Sequence, residues 1–112
     1  MKRILAPILL LTLLFPSLAY GETMDDLVRR DGIYYKKFSD IPFTGKVTGK
    51  SQGSLRNGKE HGPWVTYWDN GQLRSKGNYK NGEKDGSWVG YQDNGTVWKR
   101  FTGTFENGVR VK

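Results

Sequence analysis

Three groups of side chains in this sequence have types and spacings that could support chemistry. His61 is the only histidine, and histidine is the side chain whose charge changes near neutral pH. Asp69 and Asp93 each precede an Asn-Gly pair, and two carboxylates roughly 5–9 Å apart can hydrolyse a glycoside. Arg74, Lys76, Lys80, Lys99 and Arg100 are interleaved with Trp68 and Trp98. Cations beside indoles suit an anionic ligand, a protein interface or a stacked sugar.

The first two groups also have a plain local reading. His61 lies 24 residues before Asp85 in matching stretches. A position that a repeat exchanges with aspartate reads as a loop or capping group. Asp69 and Asp93 at the start of tight turns are expected to bond to the backbone. The chain has no cysteine, which excludes disulfides, zinc-finger-type Cys sites and thiol catalysis. One histidine excludes a His-pair metal site. No cofactor motif is present, and neither catalytic nor metal-binding residues are assigned.

The elements that position these side chains begin after a leader. Residues 1–21 read as a secretory signal peptide: Lys2 and Arg3, an apolar run from Ile4 to Phe15, then Ala19-Tyr20-Gly21. Cleavage is expected after Gly21. The apolar run is shorter than the roughly 20 residues of a spanning helix. A retained membrane anchor is the competing reading. The protein is thus expected to be exported, either periplasmic or secreted. Export disfavours nucleic acid as a partner. Without the leader, 16 basic residues face 11 acidic ones, and no alanine is left. Thirteen aromatic and 14 glycine residues remain, a composition suited to strands and turns rather than helices.

Five of the six asparagines after the leader precede glycine: Asn57, Asn70, Asn81, Asn94 and Asn107, at separations of 13, 11, 13 and 13. Asn-Gly is the strongest short hairpin signal, and it also fits a type I turn followed by a glycine bulge. Asp31-Gly32 adds another turn. Gly62–Gly71 aligns with Gly86–Gly95 at a period of 24, with seven of ten positions identical. The other half of the unit occurs as Gly53–Gly58, Gly77–Gly82 and Gly103–Gly108. The last copy is offset by two residues, which requires an insertion or bulge between Val97 and Gly103. Trp64, Tyr67, Gly71, Gly77, Tyr79 and Gly82 therefore recur as Trp88, Tyr91, Gly95, Gly103, Phe105 and Gly108.

This pattern resembles the MORN repeat, in the bacterial variant with Trp-x-x-Tyr-x-x-Asn-Gly followed by Gly-x-Tyr-x-Asn-Gly. The resemblance covers residues 53–112, with 22–52 as an N-terminal segment holding a degenerate first repeat. It implies an all-β fold, an elongated antiparallel meander of β-hairpins. It also implies a protein- or lipid-interaction module, and with the expected export the reading is a non-enzymatic protein- or envelope-interaction module. Two alternatives stand beside it: an anionic lipid or glycan binder acting through its basic face, and an antitoxin- or immunity-type inhibitor.

Along residues 72–80, Leu73, Ser75, Gly77 and Tyr79 point one way and Gln72, Arg74, Lys76, Asn78 and Lys80 the other. A two-residue turn at Asn70-Gly71 places Trp68 opposite Leu73 and Trp64 opposite Gly77. A bulged turn brings Tyr67 to Leu73 on the core face instead. The sequence leaves both registers open. Trp68 and Trp98 fall where the sister unit has Gln92 and Arg74, so each is expected to face solvent. Trp88→Ala is expected to cost roughly 3–5 kcal/mol and to unfold so small an array, as measured by thermal melting.

Overall fold

A computed structural model describes residues 21–112, and the expected leader lies outside the described residues apart from Gly21. Among the described residues eleven strands follow one another: β1 (Glu22–Thr23), β2 (Leu27–Arg30), β3 (Ile33–Lys36), β4 (Gly45–Thr48), β5 (Ser51–Arg56), β6 (Lys59–Glu60), β7 (Gly62–Tyr67), β8 (Leu73–Lys80), β9 (Glu83–Gly90), β10 (Gly103–Glu106) and β11 (Val109–Arg110). The main sheet runs β1-β4-β5-β7-β8-β9-β10-β11, with β6 also on β5, while β2 and β3 form a separate hairpin. Seven steps of about 4.8 Å set the outer strands roughly 34 Å apart. Among the described residues, no helix is long and apolar enough to cross a membrane.

The Asn-Gly turns fall into two kinds. At Asn57-Gly58, Asn81-Gly82 and Asn107-Gly108, and at Asp31-Gly32, both residues have positive φ. These are two-residue hairpin loops, closing Arg56 on Lys59, Lys80 on Glu83, Glu106 on Val109 and Arg30 on Ile33. Their backbone twist matches that of the flanking strands. At Asn70-Gly71 and Asn94-Gly95 only the glycine is left-handed. There the glycine N–H closes a four-residue turn onto Trp68 or Gln92, a type I turn with a glycine bulge. The two kinds alternate, so one long side of the sheet carries the paired-positive turns and the other the bulged ones.

The two registers left open by the sequence are combined. Trp64 pairs with Gly77, and Tyr67 pairs with Leu73, because the register shifts between Thr66 and Tyr67. Arg74 is the extra residue. Tyr67 and Leu73 are half-buried and stand apart from the core cluster. Trp64 stands opposite Gly77, but the indole that covers Gly77 is that of Trp88 on the other neighbouring strand. A Cβ on Gly77 would overlap the indole of Trp88, and a Cβ on Gly53 that of Trp64. Each indole therefore leans onto the glycine of the strand that precedes its own. Its N–H is bound there, Trp64 to the Ser54 carbonyl at 3.1 Å and Trp88 to the Asn78 carbonyl at 2.8 Å.

These rings organise one core on one face: Leu27, Val47, Leu55, Trp64, Trp88 and Phe105, with Met24, Tyr34, Phe43 and Tyr79 packed against it. Tyr79 meets Trp64 and Trp88 edge-on, at centroid distances of 5.9 and 4.9 Å. Edge-to-face contact sets the positive rim of one ring against the negative face of another. Burial pushes the Tyr79 hydroxyl up to about 12, and Glu60 adds to the shift. Lys84 lies 4.8 Å from the centre of the Trp88 ring and 5.0 Å from that of Phe105. Its amine is pushed down by burial and by Arg110.

Further irregularities interrupt the meander. Glu22–Thr23 pairs with β4 in parallel, the one departure from an antiparallel order in the main sheet. The two extra residues before Gly103 are taken up by a 3-10 turn over Lys99–Phe101. His61 and Asp85 lie at matching bulges, where Gly62 and Gly86 carry positive φ. His61 N–H bonds to the Ser54 carbonyl, and Asp85 pairs with Asn78. Gly77→Ala is expected to destabilise by about 1–3 kcal/mol by forcing the Trp88 ring aside. Gly71→Ala is expected to cost about 1–2 kcal/mol from its left-handed φ alone. Equilibrium urea unfolding of both variants compares the two mechanisms.

Candidate functional site

A groove opens on the core face beside the bulged turns. Its floor is a register row across four strands: Ser51 pairs with Thr66, Thr66 with Ser75, and Ser75 with Gly90. Side chains alternate along a strand. This row therefore shares a face with Trp64, Gly77 and Trp88, two residues farther along each strand. At the row the covering aromatics are replaced by small side chains, and the face drops. The groove has a volume of about 490 Å³, and Lys50, Tyr67, Trp68, Asp69, Arg74, Trp98 and Phe101 also line it.

The walls are fixed by hydrogen bonds that repeat at the 24-residue period. Tyr67 N–H bonds to the Lys50 carbonyl and Tyr91 N–H to the Arg74 carbonyl, each at 2.8 Å. The Trp68 indole N–H donates to the Tyr91 carbonyl at 3.0 Å, and the Asn70 amide donates to the Asp93 carbonyl at 2.9 Å. One bulged turn is thereby strapped to the next. Trp98 follows the second turn, and its N–H bonds to the Gly90 carbonyl at 2.8 Å. The Thr102 hydroxyl accepts from Gly90 N–H at 2.9 Å. A Cβ on Gly90 would press on Phe101, so glycine lets Phe101 close the end of the floor.

Trp68 and Trp98 stack on each other, with ring centroids 6.4 Å apart and planes 26° apart. Both are half-buried, which corrects the expectation that each faces solvent. The Arg74 guanidinium lies 4.6 Å from the Trp68 ring centre, and Trp98 meets Phe101 edge-on at 4.6 Å. The expected basic face does not form one patch. Arg74 joins the indoles, while Lys80 lies about 20 Å along the strand at the opposite turn. Lys76 pairs with Val65 and Val89 on the other face. Lys99 and Arg100 are exposed in the 3-10 turn. The Arg100 guanidinium lies over the Phe101 ring, 5.5 Å from its centre, and the Arg100 carbonyl accepts from Arg110.

The carboxylates behave differently from expectation. The bonds that brace the bulged turns are donated by Gln72 N–H to Asn70 Oδ1 and by Thr96 N–H to Asn94 Oδ1, at 2.9 and 3.0 Å. Asp69 reaches instead across the groove mouth to Lys50, 2.7 Å away. Lys50 holds the Asp69 carboxyl below the usual carboxylate range, and Asp69 raises the Lys50 amine. His61 Nδ1 accepts from Asn81 N–H at 3.4 Å, a turn-bracing contact. Gly49-Lys50-Ser51-Gln52-Gly53 has the Gly-x-Ser-x-Gly spacing of a nucleophile elbow, yet Ser51 opens a strand where the elbow needs a helix. Ser51 also lies about 10 Å along β5 from Ser54, the residue that meets His61. Among the described residues, no three His, Cys, Asp or Glu side chains gather into a metal-binding group.

Ser51, Thr66, Lys50 and Phe101 were not singled out by the sequence reading. The period carried a signal for most of them: Ser51 matches Ser75, Thr66 matches Gly90, and Lys50 matches Arg74. Phe101 lies in the insertion, where the period gives no guide.

The family model of the MORN repeat variant matches residues 60–81. The match runs from the end of β6 through β7 and β8 to the paired-positive turn, one full unit with Trp64 and Tyr79. The next unit shares its register, its bulge and its indole-on-glycine contact. No curated protein and no solved structure matches the chain. Repeats of this kind are generally protein- and membrane-interaction modules. Trp98→Ala removes two ring contacts of a half-buried residue and is expected to cost about 1–2 kcal/mol. Its melting temperature should stay well above that of Trp88→Ala.

Proposed function

We propose that this chain is a non-enzymatic, exported repeat protein that binds a protein or envelope partner through the bulged-turn end of its sheet. The observation that carries this reading is a division of labour among the tryptophans. Trp64 and Trp88 are buried over glycines and hold the sheet. Trp68 and Trp98 are half-buried beside an open groove, with Arg74 and Lys50 at hand. Tryptophan and arginine are the side chains that most often dominate binding energy. The matched repeat family supports an interaction role, and the basic balance of the chain favours an acidic partner.

A second reading, attachment to an anionic membrane surface, draws on the loop between β3 and β4. Phe38 is fully exposed in a left-handed conformation, and Ile41 is 76% exposed. Arg30 braces the loop through the Ser39 carbonyl and Asp40, and Lys36 and Lys37 stand beside it. Two apolar side chains on a braced tip suit a bilayer interface.

A pull-down from an envelope fraction with the full chain compares the readings. The first expects a retained partner that is lost with Trp98→Ala and kept with Lys80→Ala. Retention unchanged by Trp98→Ala overturns it. Cosedimentation with phosphatidylglycerol vesicles, abolished by Phe38→Ser with Ile41→Ser, is the outcome expected of the second.

A further inference from the structure

The floor of the groove has a chemistry that narrows its ligand. Ser51, Thr66 and Ser75 set three hydroxyls in a line across neighbouring strands. The strands are about 4.8 Å apart, a pitch on the scale of one sugar ring. The Thr66 and Ser75 hydroxyls bond to each other, so each keeps capacity for a further partner. A hydrocarbon chain would strip water from these hydroxyls without replacing it. An extended peptide cannot add as a strand here, because β7 and β8 are paired on both sides inside the sheet. A saccharide supplies hydroxyls for the floor and a C–H face for the aromatic wall.

The wall meets that second need. Trp98 and Phe101 stand at the Gly90 end of the row, edge-to-face and half exposed. The charge at the site selects further. Lys50, Arg74 and Lys84 line the groove against the single carboxylate of Asp69, which is already bound to Lys50. The uncompensated charge is positive and calls for an acidic ligand. A volume of about 490 Å³ falls within the range of small-molecule sites.

We propose that this groove binds an acidic oligosaccharide. The sugar ring packs against Trp98 and Phe101, its hydroxyls meet the Ser51–Thr66–Ser75 row, and its carboxylate lies toward Arg74. The proposal rests on the reading of the chain as a binding module and names the ligand class for that same groove.

The test titrates the full chain with tetragalacturonate and with neutral cellotetraose, followed by tryptophan fluorescence and calorimetry. Tetragalacturonate should saturate and should bind at least tenfold more tightly than cellotetraose. Trp98→Ala should weaken it at least tenfold. Thr66→Val with Ser75→Ala removes two hydroxyls at little change in size and should weaken it about tenfold with melting nearly unchanged. Lys76→Gln, on the opposite face, should leave binding within twofold. Absence of saturable binding overturns the proposal, as does equal binding of the neutral sugar or an equal loss with Lys76→Gln. A protein partner retained through Trp98 without any saccharide binding overturns the sugar assignment and leaves the binding-module reading standing.

Discussion

The structure depends on one contact repeated at a period of 24 residues: an indole laid over a glycine on the neighbouring strand. A sheet with so few aliphatic side chains has little else to bury on its core face. The glycine is required because any Cβ there would stand inside the ring. The indole is required because it fills the depression and donates its N–H to the adjacent carbonyl. The bulge at Gly62 or Gly86 is the third part of the device. It lets the strand deviate while the ring leans back across the ladder. Tyr79 then wedges edge-on between two such rings, linking separate contacts into one core.

That arrangement leaves the two long sides of the sheet with different tasks. On the paired-positive side, the glycine N–H of each turn bonds to the preceding unit: Gly82 to the Glu60 carbonyl and Gly108 to the Lys84 carbonyl. These turns are structural fasteners. On the bulged side, the turns are strapped by Trp68 and Asn70, and the residues between them shrink to serine, threonine and glycine. The core aromatics stop two residues short of this edge. The groove exists because the packing device does not extend to the end of the strands.

Much of the fold was legible in the sequence because turns and glycines carry their constraints locally. The Asn-Gly pairs located the hairpins, and the period located the units. The two-residue offset before Gly103 marked the 3-10 turn without giving its form. Register was less legible, since a bulge changes it by one residue at the cost of a single unpaired position. The sequence therefore held two pairings open, and the strand takes part of each. The direction in which Trp64 leans was not readable, because Gly53 and Gly77 are chemically equal neighbours on either side. For the site, Trp68, Trp98 and Arg74 were legible as breaks in the repeat. Ser51, Thr66 and Ser75 fall at repeat-related positions, but small polar residues do not reveal that they share one row until the strands beside them are known. Lys76, Lys80, Lys99 and Arg100 share a charge with Arg74 but not a place.

The lean of the indoles gives the sheet a direction. Trp64 roofs Gly53 and Trp88 roofs Gly77, always from the later strand onto the earlier one. The units overlap like shingles, each nailed down by the one laid after it. No hairpin is therefore complete by itself, and a cut between any two leaves the upstream piece with an open seam. At Gly103 the same seam is closed without an indole, by the Arg110 side chain and the Lys112 carbonyl.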